Sequence, residues 1–580
     1  MVQRTDGSQS IFRGAKSVGR VRVLNVLTFH EMLVAIGLPL VLYLIVRPDW
    51  YYRLNGLDSY FYTGYAQNLG DALAISGQRH YFVSRWSLYL PNRLFFKLFG
   101  ASLGFLALRW VLASVIAACV LIVCRRYERL WNAMALVVIV LLSPILLRAL
   151  LGDYADSVTV PAGVVALAAA SVFSEYLLTG VVVGICAGVV VVANPIAGLA
   201  IVSLVPLWLW NVRTWSLRLR LFCVACGSAG LVLISGWALF RIRYGLANVY
   251  APTVRFMKDH ASYNDPLKSA GLSWMQSNLW IYIPLLVMLI WAVMERRSPS
   301  ALRRQDRVVL GACGLQYAFQ VSYQFLRNGS TLEIPYYWSM IAPSLLLSVV
   351  VILGSAGRGA RSAILPSSAA LVFGWALAFR SSMPVVYRSW VLMLGCMLAL
   401  AFVCWATRRQ LPHLGLFVIP LALFSLQVGS PSRKAVLDPV NASYETVFSA
   451  QRSDGIDGYR AATWFSSRMR SLDAPLRRSA FFWIGGSHAH QMAAMYGAHV
   501  SGRWMNSGWG NDSIGLNLTR DFQWAVDTGV VNVIVMAGTV GDVATMVSKL
   551  NDLRPGYITV FNEIAPDRLR TVVRVVRYQT

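Results

Sequence analysis

A few acidic side chains stand where apolar runs give way to polar loops. Asp58 lies in Asn55-Gly-Leu-Asp-Ser-Tyr-Phe-Tyr-Thr-Gly-Tyr-Ala66, shortly beyond the first apolar run. Asp153 and Asp156 share the loop Leu151-Gly-Asp-Tyr-Ala-Asp-Ser157, and Glu333 closes Arg327-Asn-Gly-Ser-Thr-Leu-Glu333. Ionisable groups at a membrane boundary are costly and are candidates for chemistry by default. Arg85, Arg93, Arg241, Arg243, Arg255, Lys258 and Arg327 fall in the same set of loops. Each residue has a plainer reading as well. An aspartate ahead of an aromatic run caps a helix, Pro161 marks a helix start near Asp153 and Asp156, and a single arginine contacts anionic headgroups. Taken together, carboxylates and guanidiniums suit a lipid-linked phosphate, which Arg grips through two parallel N–H bonds.

The elements that must position these residues are membrane helices. The chain is 57% hydrophobic and 13% charged, with a mean hydropathy of +0.55. A soluble domain carries about a quarter charged residues. Apolar runs long enough for a hydrocarbon core of roughly 30 Å recur from Phe29 to Gly429. Basic clusters alternate between them, so the net charge of +26 reports topology and not a nucleic-acid partner. Arg4, Arg13, Lys16, Arg20 and Arg22 put the N-terminus in the cytoplasm. The first run lies behind the basic stretch with no small-residue cleavage site after it, so it reads as a retained span.

Counting by sign gives spans at about Phe29–Val46, Ala101–Val123, Ala133–Leu147, Val158–Phe173, Leu177–Ala193, Ile196–Trp210, Leu221–Phe240 and Leu279–Met294. Val308–Leu326, Tyr337–Gly354, Ile364–Phe379, Val391–Ala406 and Leu414–Val428 follow, for about 13 helices in all. The aromatic and basic stretch His80–Lys97 suits interfacial helices. All eight cysteines lie in or beside apolar runs, and Cys223-Val-Ala-Cys226 has no second ligand pair for zinc. The organisation is therefore 1–28 cytoplasmic, 29–429 transmembrane and 430–580 an extracytoplasmic α/β domain. In that last part the pattern predicts strands at Ala480–Ile484, Val530–Met536, Ile558–Phe561 and Thr571–Val576. It predicts helices at Gly458–Ser471, His490–Ala498, Ile514–Thr528 and Val540–Leu550. Trp483-Ile-Gly-Gly-Ser-His488 lacks the dinucleotide fingerprint. Trp504, Trp509, Asn506, Asn511 and Asp512 suit either a sugar-stacking cluster or a structural loop.

Five motifs together resemble bacterial members of the GT-C glycosyltransferase superfamily, which includes protein mannosyltransferases, aminoarabinose transferases and arabinofuranosyltransferases. They are the Asp58 stretch, Tyr81-Phe-Val-Ser-Arg85 with Leu90-Pro91, Gly152-Asp-Tyr-Ala-Asp156, Ala193-Asn-Pro195, and Glu333-Ile-Pro-Tyr-Tyr-Trp-Ser-Met340. The resemblance implies transfer of a sugar from a polyprenyl-phosphate donor to a glycan, lipid or protein acceptor, at the outer face of the bacterial cytoplasmic membrane. By position it implies Asp58 as catalytic base and places the second-loop acidic motif on Asp153 and Asp156; among the other candidate substrate-binding residues, Tyr154, Arg255, Lys258, Glu333, Tyr337 and Arg85, the last is the first choice to stabilise the departing phosphate. Many members carry a second acidic residue beside the first-loop aspartate. Here Ser59 follows Asp58, which leaves a divalent metal open. A competing class, a transporter of lipid-linked sugars, would place ionisable groups and broken helices near mid-membrane, where this sequence has few charges.

Overall fold

A computed structural model of the chain describes residues 27–46, 81–125, 130–152, 155–261, 281–297, 304–326, 331–333, 335–355, 479–484, 506–507, 531–537, 539–566, 570 and 572–579, with isolated residues between them. Asp58, Asp153, Tyr154 and Arg327 lie outside the described residues. So do nearly all of the expected spans Ile364–Phe379, Val391–Ala406 and Leu414–Val428, and most of the helices expected between 458 and 528.

α1 (Phe29–Val46) starts where the apolar run starts. Thr28 and Glu31 form a capping box: the Thr28 N–H donates to Glu31 Oε2 at 2.7 Å, and the Glu31 N–H donates to Thr28 Oγ1 at 3.3 Å. α2 (Trp86–Cys124) joins the expected interfacial segment to the expected second span. It breaks at Gly100, whose φ of 77° suits glycine alone among common residues. α3 (Leu130–Leu141) and α4 (Pro144–Leu151) bend by 64° where one span was expected. Pro144 has no N–H to give, and it holds Ser143 extended with ψ at 135°.

α5 (Asp156–Val172), α6 (Leu177–Ala193), α7 (Pro195–Val202), α8 (Leu204–Asn211) and α9 (Trp215–Tyr244) continue the bundle. Gly180, Gly184 and Gly188 line one stripe of α6 and let α9 approach closely. A Cβ on Gly184 would lie 2.2 Å from the Ala225 carbonyl oxygen. Asn194 of the Ala193-Asn-Pro195 motif caps α7, accepting from Ile196 N at 3.1 Å and Ala197 N at 3.4 Å. α10 (Ala251–Ala261), α11 (Tyr282–Arg297), α12 (Arg304–Leu326), a 3₁₀ turn at Pro335–Met340 and α13 (Ala342–Ser355) complete the helical part.

Phe29–Val46, Leu103–Cys124 and Trp215–Tyr244 are long and apolar enough to cross a membrane, and the bent α3–α4 pair makes a fourth if it counts as one span. α5, α6, Pro195–Asn211 and Ala342–Gly354 are shorter apolar helices. Prolines, helix breaks and, in α12, buried glutamines divide or dilute the remaining runs.

All four expected C-terminal strands form: β1 (Ser479–Ile484), β3 (Asn532–Ala537), β4 (Tyr557–Ile564) and β5 (Val572–Tyr578). A short β2 (Asn506–Ser507) adds a fifth, inside the tryptophan and asparagine cluster. The sheet order is β2-β1-β3-β5-β4, parallel from β2 to β3 and antiparallel beyond. α14 (Val540–Leu553) is capped by Thr539, which accepts from the Asp542 N–H at 3.1 Å. It buries Val543, Met546 and Leu550 against the sheet.

Candidate active site

Tyr62, Tyr65, Ala66, Leu69 and Leu73 are buried on one helical face, packed with Phe82, Leu88, Tyr89 and Phe240. Tyr65 stacks on Tyr89 with ring centroids 5.2 Å apart. Arg85 follows the 3₁₀ turn Tyr81–Ser84 and precedes α2, so its side chain is aimed by two elements at once. Its Nη1 donates to the Tyr62 hydroxyl, and its guanidinium lies 4.7 Å over the Tyr81 ring. Arg85 is thereby tied to a residue only four positions beyond Asp58.

Asp156 is the first residue of α5, but it does not cap that helix: Ala155 occupies the cap position without a side-chain bond. Its carboxylate turns to Arg148 of α4, with Nη1 3.3 Å from Oδ2. The Ser339 hydroxyl of the second 3₁₀ turn also bonds to it, and Arg85 faces it at longer range. Burial pushes the Asp156 carboxyl from the usual 3.8 up to about 7, against the pull of Arg148, Ser339 and Arg85. Asp156 stands ahead of the expected span, so this titration belongs to the loop end of the helix.

Arg109 of α2 supports the same loop from the other side. It is 1% exposed, and it donates to Asn92 Oδ1 at 3.4 Å and to the Gly152 carbonyl at 3.5 Å. Gly152 immediately precedes Asp153 and ends α4.

Glu333 is buried, and its Oε1 accepts from Gln324 Nε2 at 2.8 Å. Tyr337 is half-buried, and its carbonyl accepts from Gln320 Nε2 at 2.8 Å. Arg255 and Lys258 are exposed on α10. That helix is pinned beside Arg85 through the contact between the Thr253 and Ser84 hydroxyls. Arg241 and Arg243 occupy the last turn of α9, where the helix dipole favours cations, so a structural role accounts for them. Arg93 donates to the Ala66 carbonyl at 3.2 Å. Among the described residues no three His, Cys, Asp or Glu side chains gather as a metal-holding set.

The structure thus sets Arg85 facing Asp156 at longer range and adds Arg148 and Ser339 against its carboxylate and Arg109 on the Gly152 carbonyl, all three of which sequence reasoning passed over. The two arginines carried a usable signal: each is a lone charge inside an apolar run.

No protein-family model matches the sequence, and no curated protein sequence matches it. Among solved structures, the crystal structure of ArnT from Cupriavidus metallidurans in the apo state matches with a TM-score of 0.51 at 12% identity, over 94% of this chain and 98% of that one. The mycobacterial arabinofuranosyltransferase AftD matches with a TM-score of 0.42 at 13% identity, over 96% of this chain and 40% of that one, too loosely to establish a shared fold. The chain has the fold of ArnT.

Proposed function

We propose that the protein is an inverting glycosyltransferase that moves a sugar from a polyprenyl-phosphate donor to a glycan, lipid or protein acceptor, at the outer face of the cytoplasmic membrane. The observation that carries this reading is the buried pair of Arg148 and Asp156, with Arg85 facing it at longer range, in a chain with the fold of ArnT. Buried charge of both signs at the end of an apolar helix is costly unless used.

In the proposed reaction the Asp58 carboxylate takes the proton of an acceptor hydroxyl as that oxygen attacks the anomeric carbon. The bond from that carbon to the phosphate oxygen breaks as the glycosidic bond forms. The configuration inverts, and the lipid phosphate leaves with the bonding pair. Arg85 stabilises the charge growing on that phosphate. The tie between Arg85 and Tyr62 supports this pairing of roles, because it couples the phosphate-binding group to the segment that carries Asp58. Asp153, Tyr154, Asp156, Glu333 and Tyr337 shape the sugar site, and Arg255 and Lys258 meet the lipid phosphate from α10.

The test is transfer from a polyprenyl-phosphate sugar by the purified protein. Asp58→Asn is expected to abolish transfer while expression and folding persist. Full activity in that variant sinks the catalytic assignment, and movement of the donor across the bilayer without transfer would support a transporter instead.

A further inference from the structure

α12 carries three glutamines one turn apart, Gln316, Gln320 and Gln324, on one buried stripe. Burying a primary amide is costly unless its atoms find partners. Most of them find partners in residues 331–333 and 335–344, which run antiparallel to the helix, while Gln320 Oε1 is buried without one among the described residues. Gln324 grips the start of the segment twice: Nε2 donates to Glu333 Oε1 at 2.8 Å, and Oε1 accepts from the Leu332 N–H at 3.0 Å. Gln320 donates to the Tyr337 carbonyl at 2.8 Å, while its own backbone carbonyl accepts from the Thr331 hydroxyl at 3.1 Å. Gln316 Oε1 accepts from the Ser344 hydroxyl at 2.6 Å, and its Nε2 donates across to the Ala200 carbonyl of α7 at 2.9 Å.

The segment needs such support. Its middle is a 3₁₀ turn, whose strained hydrogen bonds do not hold it alone. Its other face meets α5: Ser339 bonds to Asp156, and a Cβ added at Gly163 would lie 2.5 Å from Pro343 Cγ. A void of about 10 Å³ where the segment meets α5, also lined by Val190, Ile201 and Gln316, leaves room for one water at most. Slipping the segment by one residue would break the amide partnerships on one side and withdraw the Ser339 hydroxyl from Asp156 on the other.

We propose that Gln316, Gln320 and Gln324 are positioning residues, an amide ladder that sets the register of segment 331–344 and so holds the Ser339 hydroxyl on Asp156. The relevance of the ladder to sugar transfer rests on the function proposed above, but its effect on Asp156 can be read without turnover. Among the described residues the groups that face Asp156 are Arg148, Arg85 and Ser339, of which the ladder governs Ser339.

The experiment titrates the Asp156 carboxyl of the full-length protein by infrared difference spectroscopy, with the band assigned through its loss in Asp156→Asn. Ser339→Ala removes a bond that favours the ionised form, so its midpoint is expected to rise by about half a pH unit, roughly threefold in proton affinity. Gln320→Met is expected to raise the midpoint by the same amount, and the double variant no further. Gln324→Leu provides the same comparison if Gln320→Met does not fold. A midpoint unchanged in the glutamine variants, unchanged in Ser339→Ala, or moved additively in the double variant overturns the proposal. A parent protein that transfers no sugar would overturn the proposed function instead, and leaves the titration to decide the ladder.

Discussion

The Arg148 guanidinium stands 3.3 Å from the Asp156 carboxylate, and both side chains are only 4% exposed. The two residues are eight positions apart, on either side of the turn that holds Gly152 and Asp153. Breaking such a buried pair costs more than making it gains, because the remaining charge has no water to turn to.

Arg148→Leu is therefore expected to destabilise the protein by about 3 kcal/mol at pH 8. The deficit should shrink below pH 7, where a proton neutralises the stranded carboxyl. The sign follows from the raised pKa. In the parent, Asp156 binds its proton more tightly folded than unfolded, so its contribution to stability falls as pH rises from about 4 to about 7 and then levels off. Thermal unfolding in detergent at both pH values checks this, and an equal deficit at the two would contradict it.

Arg85 should respond to geometry as well as charge. Arg85→Gln is expected to lower transfer by about 10²-fold or more, as loss of a transition-state donor does elsewhere. Arg85→Lys should recover only part, because an ammonium has no planar fork for the phosphate and stacks less well on Tyr81. The measurement is kcat/KM with a fixed donor, and parent-like activity in Arg85→Gln would remove this arginine from the mechanism.

Arg109 braces the second acidic loop through the Gly152 carbonyl. Arg109→Met keeps the side-chain bulk over Phe105 but loses both bonds. It is expected to lower kcat with little change in donor KM, since the loop is misplaced and not removed. A change confined to protein yield would mean that Arg109 serves packing alone.

The packing of α6 on α9 gives a prediction independent of function. Gly184→Val places carbon where the Ala225 carbonyl already lies and should cost about 1–3 kcal/mol or more. Gly227→Ala, on α9 with open space around the glycine, should be near neutral or mildly stabilising. Thermal unfolding of the two variants side by side reads the difference.

Much of this protein is written in local pattern. The start of α1 follows from Thr28, Glu31 and the apolar run, because a capping box and hydropathy act over a few residues. The four long C-terminal strands follow from β-branched and aromatic runs between turn residues. The loop containing Asp153 and Asp156 stands out because charge there departs from its surroundings.

Partnerships across the fold are a different matter. Whether Asp156 caps α5 or pairs with Arg148 depends on how α4, beyond the 64° bend, packs beside the start of α5. Arg109 reaches a carbonyl 43 residues away, and the glutamines of α12 find partners only because segment 331–344 doubles back along that helix. The sequence by itself determined the membrane class, the helix starts and the residues with chemical capacity, since these depend on composition and short-range spacing. Only the tertiary structure decided which charges are buried together, because that depends on how helices bend and cross, and no local period encodes it.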